Sequence, residues 1–219
     1  LQLALHNLYI SFAELKTIRV ALAEGWLWEL VEQRAAANPF LSEALRVLRE
    51  PAHLHWLEHH EPTSKKTALF YTGPQSLYRP TMFRYHTRLF TRFELLFPTT
   101  VVFPERTKPY SQWYAKEMTS ILQQKNVNLV VLSTLGPAPF ELDEMYPLAQ
   151  SVFPNTVDRE TQETAEHLLE RFLHNTQVIH WHEGMVLQND KPPISPLDFD
   201  MRRISAVADM QFGLGASEA

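Results

Sequence analysis

The chain opens on an apolar run, with Leu1, Leu3, Leu5 and Leu8 spaced among polar residues. Ser11 followed by Glu14 forms a capping-box pattern that predicts a helix start. Leu15, Ile18 and Leu22 continue it at helical spacing, and Gly25 supplies a stop. A second helix is predicted over 26–37, with Leu27, Leu30 and Val31 on one face. A third starts at Pro39, a favourable first-turn residue, and presents Leu41, Leu45 and Leu48. Residues 11–60 therefore read as helical hairpins with short joints. The pattern changes at the polar stretch Glu61-Pro62-Thr63-Ser64-Lys65-Lys66, which predicts a domain boundary. Beyond it, short apolar runs alternate with amphipathic segments. Strands are predicted over 67–71, 99–103, 128–133 and 178–181. Helices are predicted over 79–93, 111–125, 140–149, from the cap Asp158 to 174, and over 200–210, with a proline-rich loop at 182–198. The run Leu129-Val130-Val131-Leu132 suits a strand buried on both faces. This alternation predicts an α/β sandwich with a mostly parallel sheet behind a helical N-terminal segment.

Composition adds limits to that picture. A chain of 219 residues with 45% hydrophobic content can hold one large or two small domains. No apolar run reaches bilayer length, and no basic-then-apolar leader is present, which predicts a cytoplasmic location and no membrane partner. The absence of cysteine excludes disulfides. The opening without methionine and the stop at Ala219, straight after Gly213 and Gly215, read as cuts through a longer polypeptide. The net charge of −5 argues against nucleic-acid binding, but the distribution is uneven. From Arg79 to Lys116 there are seven Lys/Arg against two acids, whereas from Glu141 to Glu170 there are eight acids against Arg159 alone.

Several residues are candidates for chemistry. Arg84, Arg88 and Arg92 recur every four residues along one helical face, a pattern that fits a phosphate-binding stripe or a solvated face. Lys108 and Tyr110 fall at a strand-to-helix loop, where α/β sheets place their ligands. They are candidates for phosphate or nucleobase contact and weak candidates for catalysis. The other reading has Pro109 shaping a turn, Lys108 solvated and Tyr110 packed. His53, His55, His59 and His60 cluster without the spacing of a metal site, which favours a helix exposing histidines. His180 and His182 follow a strand, where end packing is the simpler reading. Gly136 is placed for a tight turn.

Three blocks in order carry a resemblance to a known family. They are Leu69-Phe70-Tyr71-Thr72-Gly73-Pro74-Gln75-Ser76-Leu77-Tyr78-Arg79-Pro80, then the stretch Leu132-Ser133-Thr134-Leu135-Gly136-Pro137-Ala138-Pro139-Phe140-Glu141-Leu142 with Met145-Tyr146-Pro147, and Ala208-Asp209-Met210-Gln211-Phe212-Gly213. Together they resemble the archaeosine synthases and archaeal tRNA-guanine transglycosylases. The resemblance implies three parts: a helical remnant of a transglycosylase barrel over 1–60, a three-layer α/β/α domain of the uracil-DNA-glycosylase type over 61–198, and over 199–219 the start of a region preceding a PUA-type domain. It implies tRNA modification, specifically the addition of lysine to 7-cyano-7-deazaguanine in tRNA, with a radical-SAM enzyme as a partner for the next step. The segment Leu5-His6-Asn7-Leu8-Tyr9 is similar to the family's zinc-ligating histidine stretch. His6 would then be a zinc ligand only beside upstream cysteines of a parent protein, and no cofactor is expected in this chain alone.

The synthase motif joins Pro-Cys, three variable residues, Lys-Pro-Tyr, a serine and a histidine. Here Lys108, Pro109 and Tyr110 match it, but Glu105 stands for the cysteine and the spacer is one residue short. Trp113 and Lys116 stand for the serine and the histidine. A carboxylate cannot replace a thiolate nucleophile without a change of mechanism. Two alternatives follow: a non-catalytic scaffold that binds tRNA or a partner, and a fragment of the archaeal transglycosylase.

Overall fold

The computed structural model describes residues 2–185, 187 and 196–212. Four helices come first: α1 (Gln2–Glu24), α2 (Leu27–Ala36), α3 (Pro39–Leu48) and α4 (Pro51–His60). The expected helix start at Ser11 is overturned. The helix α1 runs through that position, and the Ser11 hydroxyl donates back to the Asn7 carbonyl at 2.9 Å. Nothing upstream breaks the helix, so a Ser-x-x-Glu spacing inside it has no free N–H groups to cap. The joints are as short as expected: Gly25 takes φ +77°, and Asn38 caps α3 by accepting from the Phe40 N–H at 2.9 Å.

The α/β portion contains β1 (Leu69–Phe70), α5 (Pro80–Arg92), β2 (Thr99–Pro104), α6 (Tyr110–Trp113), α7 (Ala115–Gln124) and β3 (Asn128–Ser133). It continues with β4 (Gly136–Pro139), β5 (Ser151–Val152), α8 (Arg159–Phe172), β6 (Gln177–His180) and α9 (Pro196–Phe212). The main sheet has the order β4-β3-β2-β6. Strands β3, β2 and β6 are parallel, and β4 is antiparallel to β3. Five of the six residues of β2 are buried, as a strand covered by helices on both faces requires. The predicted α/β class with a mostly parallel sheet is the observed one.

Three expectations need correction. The predicted strand at 67–71 shrinks to β1, which pairs with β5 in a separate two-stranded sheet instead of joining the main one. The single helix at 111–125 is broken at Tyr114 (φ −95°, ψ 20°), because that ring is drawn into the core against Phe103 at 4.7 Å. The helix at 140–149 is absent. Gly136, at φ +96°, turns the chain straight back so that Gly136–Pro139 pairs with β3, and a short 3-10 turn over Phe140–Leu142 follows. Pro137 and Pro139 lack N–H groups and fit an edge strand, not a sheet interior. The expected loop at 182–198 lies largely outside the described residues.

Two sets of buried charges tie the parts together. Arg79, 1% exposed, donates to Glu32 of α2 at 2.9 and 2.6 Å and to Glu29 at 3.2 Å. Lys65 closes on Glu29 at 2.5 and 2.7 Å. At the other end, α9 sends Arg202 to Glu141 at 2.8 Å and Arg203 to Asp143 at 3.1 Å. Phe199 and Met210 of the same helix lie inside the main core. Among the described residues, no helix is long and apolar enough to cross a membrane.

Candidate functional site

Strands β2 and β3 run parallel and end side by side, Pro104 opposite Leu132. The chain beyond each strand end lines one cleft of 790 Å³: Glu105 to Lys108 after β2, Ser133 and Thr134 at the end of β3. The opposite wall is Ser151 to Val157, around β5, and the first turns of α8. This is the position at which parallel α/β sheets bind ligands, since strand ends and loops open outward there.

Glu105 is held from two sides. One oxygen accepts from the Tyr110 hydroxyl at 2.7 Å, and the other accepts from the Thr134 N–H at 2.8 Å and the Thr134 hydroxyl at 2.6 Å. The carboxylate therefore locks the loop after β2 onto the loop after β3. Tyr110 is fully buried, and burial followed by the Glu105 charge pushes its hydroxyl well above the usual phenol range. Tyr110 packs in the core with its hydroxyl given to Glu105.

Lys108 is partly buried on the cleft wall. Its ammonium donates to the Ser151 hydroxyl and, at 3.4 Å, to the Ser151 carbonyl. It lies 4.5 Å from the centre of the Phe153 ring. Burial lowers its pKa to about 8, against the upward pull of Glu105. A lysine lowered in the folded state is neutral there while the unfolded chain is still protonated. The unfolded state then binds more protons, so this group adds stability as pH rises from about 8 towards the ordinary lysine value. We expect a Lys108 amine titration centred near pH 8 by NMR, and a Lys108→Met variant without that rise in stability; a midpoint at the ordinary lysine value would remove the assignment.

The arginine row lies elsewhere. Arg84 donates to the carbonyls of Glu58, of Glu61 at 2.6 Å and of Pro62 at 3.0 Å, at the end of α4. Arg88 donates to Met210 at 2.7 Å and Arg92 to Asp209 at 3.4 Å, at the end of α9. These guanidiniums close the carbonyl ends of two helices, where unpaired C=O groups and the negative dipole end favour a cation. They are not brought to the cleft with Lys108. The histidines of α4 are exposed, and among the described residues no group of three or more His, Asp or Glu could hold a metal ion. His6 is exposed on α1, and without cysteine the chain does not complete the zinc site that the resemblance implied. Sequence reasoning did not reach Ser151 or Phe153, which meet Lys108 from more than forty residues away with no spacing signal.

No family model matches the chain. Curated proteins do match it. A tRNA-guanine(15) transglycosylase of Methanobrevibacter smithii is 35% identical over 99% of this chain. The chain is a homologue of one segment of these transglycosylases. The same name belongs to a Methanothermobacter thermautotrophicus protein, 35% identical over 99% of the chain, and to a Methanocaldococcus jannaschii protein, 37% identical over 73%. The chain spans 35%, 34% and 23% of those relatives, so about a third of the length of the first two. A crystal structure of a protein of unknown function aligns with 59% of this chain and 57% of its own, at a TM-score of 0.38 and 14% identity.

Proposed function

We propose that this chain works in tRNA modification as the tRNA-handling segment of a tRNA-guanine(15) transglycosylase, and that its cleft binds and does not react. The observation that carries the reading is the 35% identity, over 99% of the chain, to a protein of that name. Base exchange itself falls to the remaining two thirds of such a protein, and His6 would complete its zinc site there.

Glu105 favours this over lysine addition by an archaeosine synthase. It stands where the synthase motif has its cysteine, and both its oxygens are engaged by Tyr110 and Thr134. A carboxylate held this way positions loops, and it offers no nucleophile for a nitrile carbon. The parent protein would need no radical-SAM partner for base exchange, which makes a requirement for one a mark of the synthase.

The test uses the full-length protein with two substrates. With unmodified tRNA and labelled guanine, the base should be exchanged into the polynucleotide. With tRNA carrying the 7-cyano base and labelled lysine, no lysine should enter the tRNA. Lysine incorporation, lost on Glu105→Gln, would overturn the proposal in favour of the synthase.

A further inference from the structure

Lys108 lies on the cleft wall with no salt-bridge partner among the described residues. An ammonium has three donors, and the acceptors that Lys108 finds in the protein are the hydroxyl and carbonyl of one residue, Ser151. One donor is left without an oxygen acceptor, and the ammonium stands 4.5 Å from the Phe153 ring centre. Among the described residues, no carboxylate lies within ion-pair distance of Lys108, whereas the buried Lys65 and Arg79 each have one. Two carboxylates line the cleft: Glu105, with both oxygens committed to Tyr110 and Thr134, and the exposed Glu166 of α8. A buried charge left with neutral partners carries a desolvation cost that a ligand of opposite sign relieves.

A second cation stands on the same rim. Arg106 lines the cleft, and its hydrogen bond within the protein is a weak one at 3.3 Å to the Glu105 carbonyl. The N-terminus of α8 does not compete for an anion, because Asp158 already accepts from the Thr161 N–H at 2.9 Å. The cations on the cleft wall are Lys108 and Arg106. The volume of 790 Å³ is far more than one inorganic anion fills and lies in the range of sites for small organic ligands.

We propose that the cleft binds a phosphate group carried on a nucleotide-sized ligand, with Lys108 as the anion contact and Arg106 as the second cation at the rim. Lysine meets phosphate as a point charge with rotatable donors, which suits an ammonium anchored through Ser151. Two sources share this chemistry, a free mononucleotide and a nucleotide within an RNA chain. The inference rests on the reading of the cleft as a binding site, not on the base exchange assigned to the parent protein.

The experiment titrates the full-length protein with adenosine and guanosine monophosphates, the matching nucleosides, and inorganic phosphate, by calorimetry. The monophosphates should bind and the nucleosides should bind at least about tenfold more weakly, the loss of a charge-assisted contact. Lys108→Met should weaken the monophosphates by a similar factor, and a Lys108 amine signal should move on adding them. Arg106→Gln, a change at an exposed residue that leaves the fold intact, should weaken them by a smaller factor. Displacement of the bound monophosphate by tRNA supports an RNA source, and simultaneous binding supports a free nucleotide. Equal affinity for nucleosides and monophosphates, or unchanged affinity in both variants, would overturn the proposal. These readouts are of binding, so a failed base-exchange assay leaves them intact.

Discussion

Glu32→Ala should destabilise the protein by about 3–5 kcal/mol, the cost of leaving a buried charge without its partner. Glu32 is 3% exposed and Arg79 is 1% exposed, and two hydrogen bonds at 2.9 and 2.6 Å join them. Removing the carboxylate leaves the guanidinium with Glu29 at 3.2 Å, Thr72 at 3.1 Å and Ser76 at 3.4 Å. Those contacts are longer, and Glu29 is already shared with Lys65. Replacing both partners with hydrophobic residues, Glu32→Leu with Arg79→Met, should cost less than either single change, because no unpaired charge remains. Urea unfolding of the four proteins checks this. A double variant as unstable as the sum of the singles would show that the pair is not coupled, and a Glu32→Ala loss below about 1 kcal/mol would place it with surface ion pairs.

That pair also shows what was legible in the sequence. The helical spacing of α2 and the polar boundary at 61–66 were both readable, yet nothing along the chain says that Glu32 points inward. On a helix with Glu29, Glu32 and Gln33, the buried acid looks like any solvated one until Arg79 is placed 47 residues away. The strand Asn128–Ser133 was legible to the residue because its apolar run is long enough to bury both faces. The segment after it was not, because Gly136 and the following Pro137 and Pro139 set a turn and an edge strand through backbone geometry, and hydrophobic spacing does not encode that. At the cleft, Lys108 and Tyr110 were legible from their place after a strand. Their roles separated only when packing buried the tyrosine and left the lysine facing the cavity. The arginine row was legible as a row, but its acceptors are carbonyls at the ends of α4 and α9, which a one-dimensional pattern cannot supply.

Phe103→Ala should cost about 3–5 kcal/mol, the range for removing a fully buried aromatic ring from a core. Phe103 has no exposed surface and sits on β2, one of the two strands that pair on both sides in the main sheet. Its ring meets Phe140 at 5.2 Å, Tyr114 at 4.7 Å and Trp181 at 5.5 Å. Those three rings come from the turn after β4, the break between α6 and α7, and the segment after β6, so one side chain holds together elements that share no backbone pairing. The neighbours cannot all close on the space: the Tyr114 ring is fixed by its hydroxyl on the Pro104 carbonyl at 2.9 Å, and the Trp181 backbone by its main-chain N–H on the Val102 carbonyl at 2.8 Å. A residual cavity follows, and the loss should exceed that of Phe103→Leu, which keeps most of the volume. The cleft should suffer as well, since Glu105 lies two residues beyond Phe103 and locks the loop that carries Lys108. Thermal melts rank the two variants, and monophosphate affinity measured where both remain folded separates the effect on the site from the effect on the fold. Equal melting temperatures for the alanine and leucine variants would mean that the core repacks around the loss and that the aromatic cluster is not what holds these elements in place.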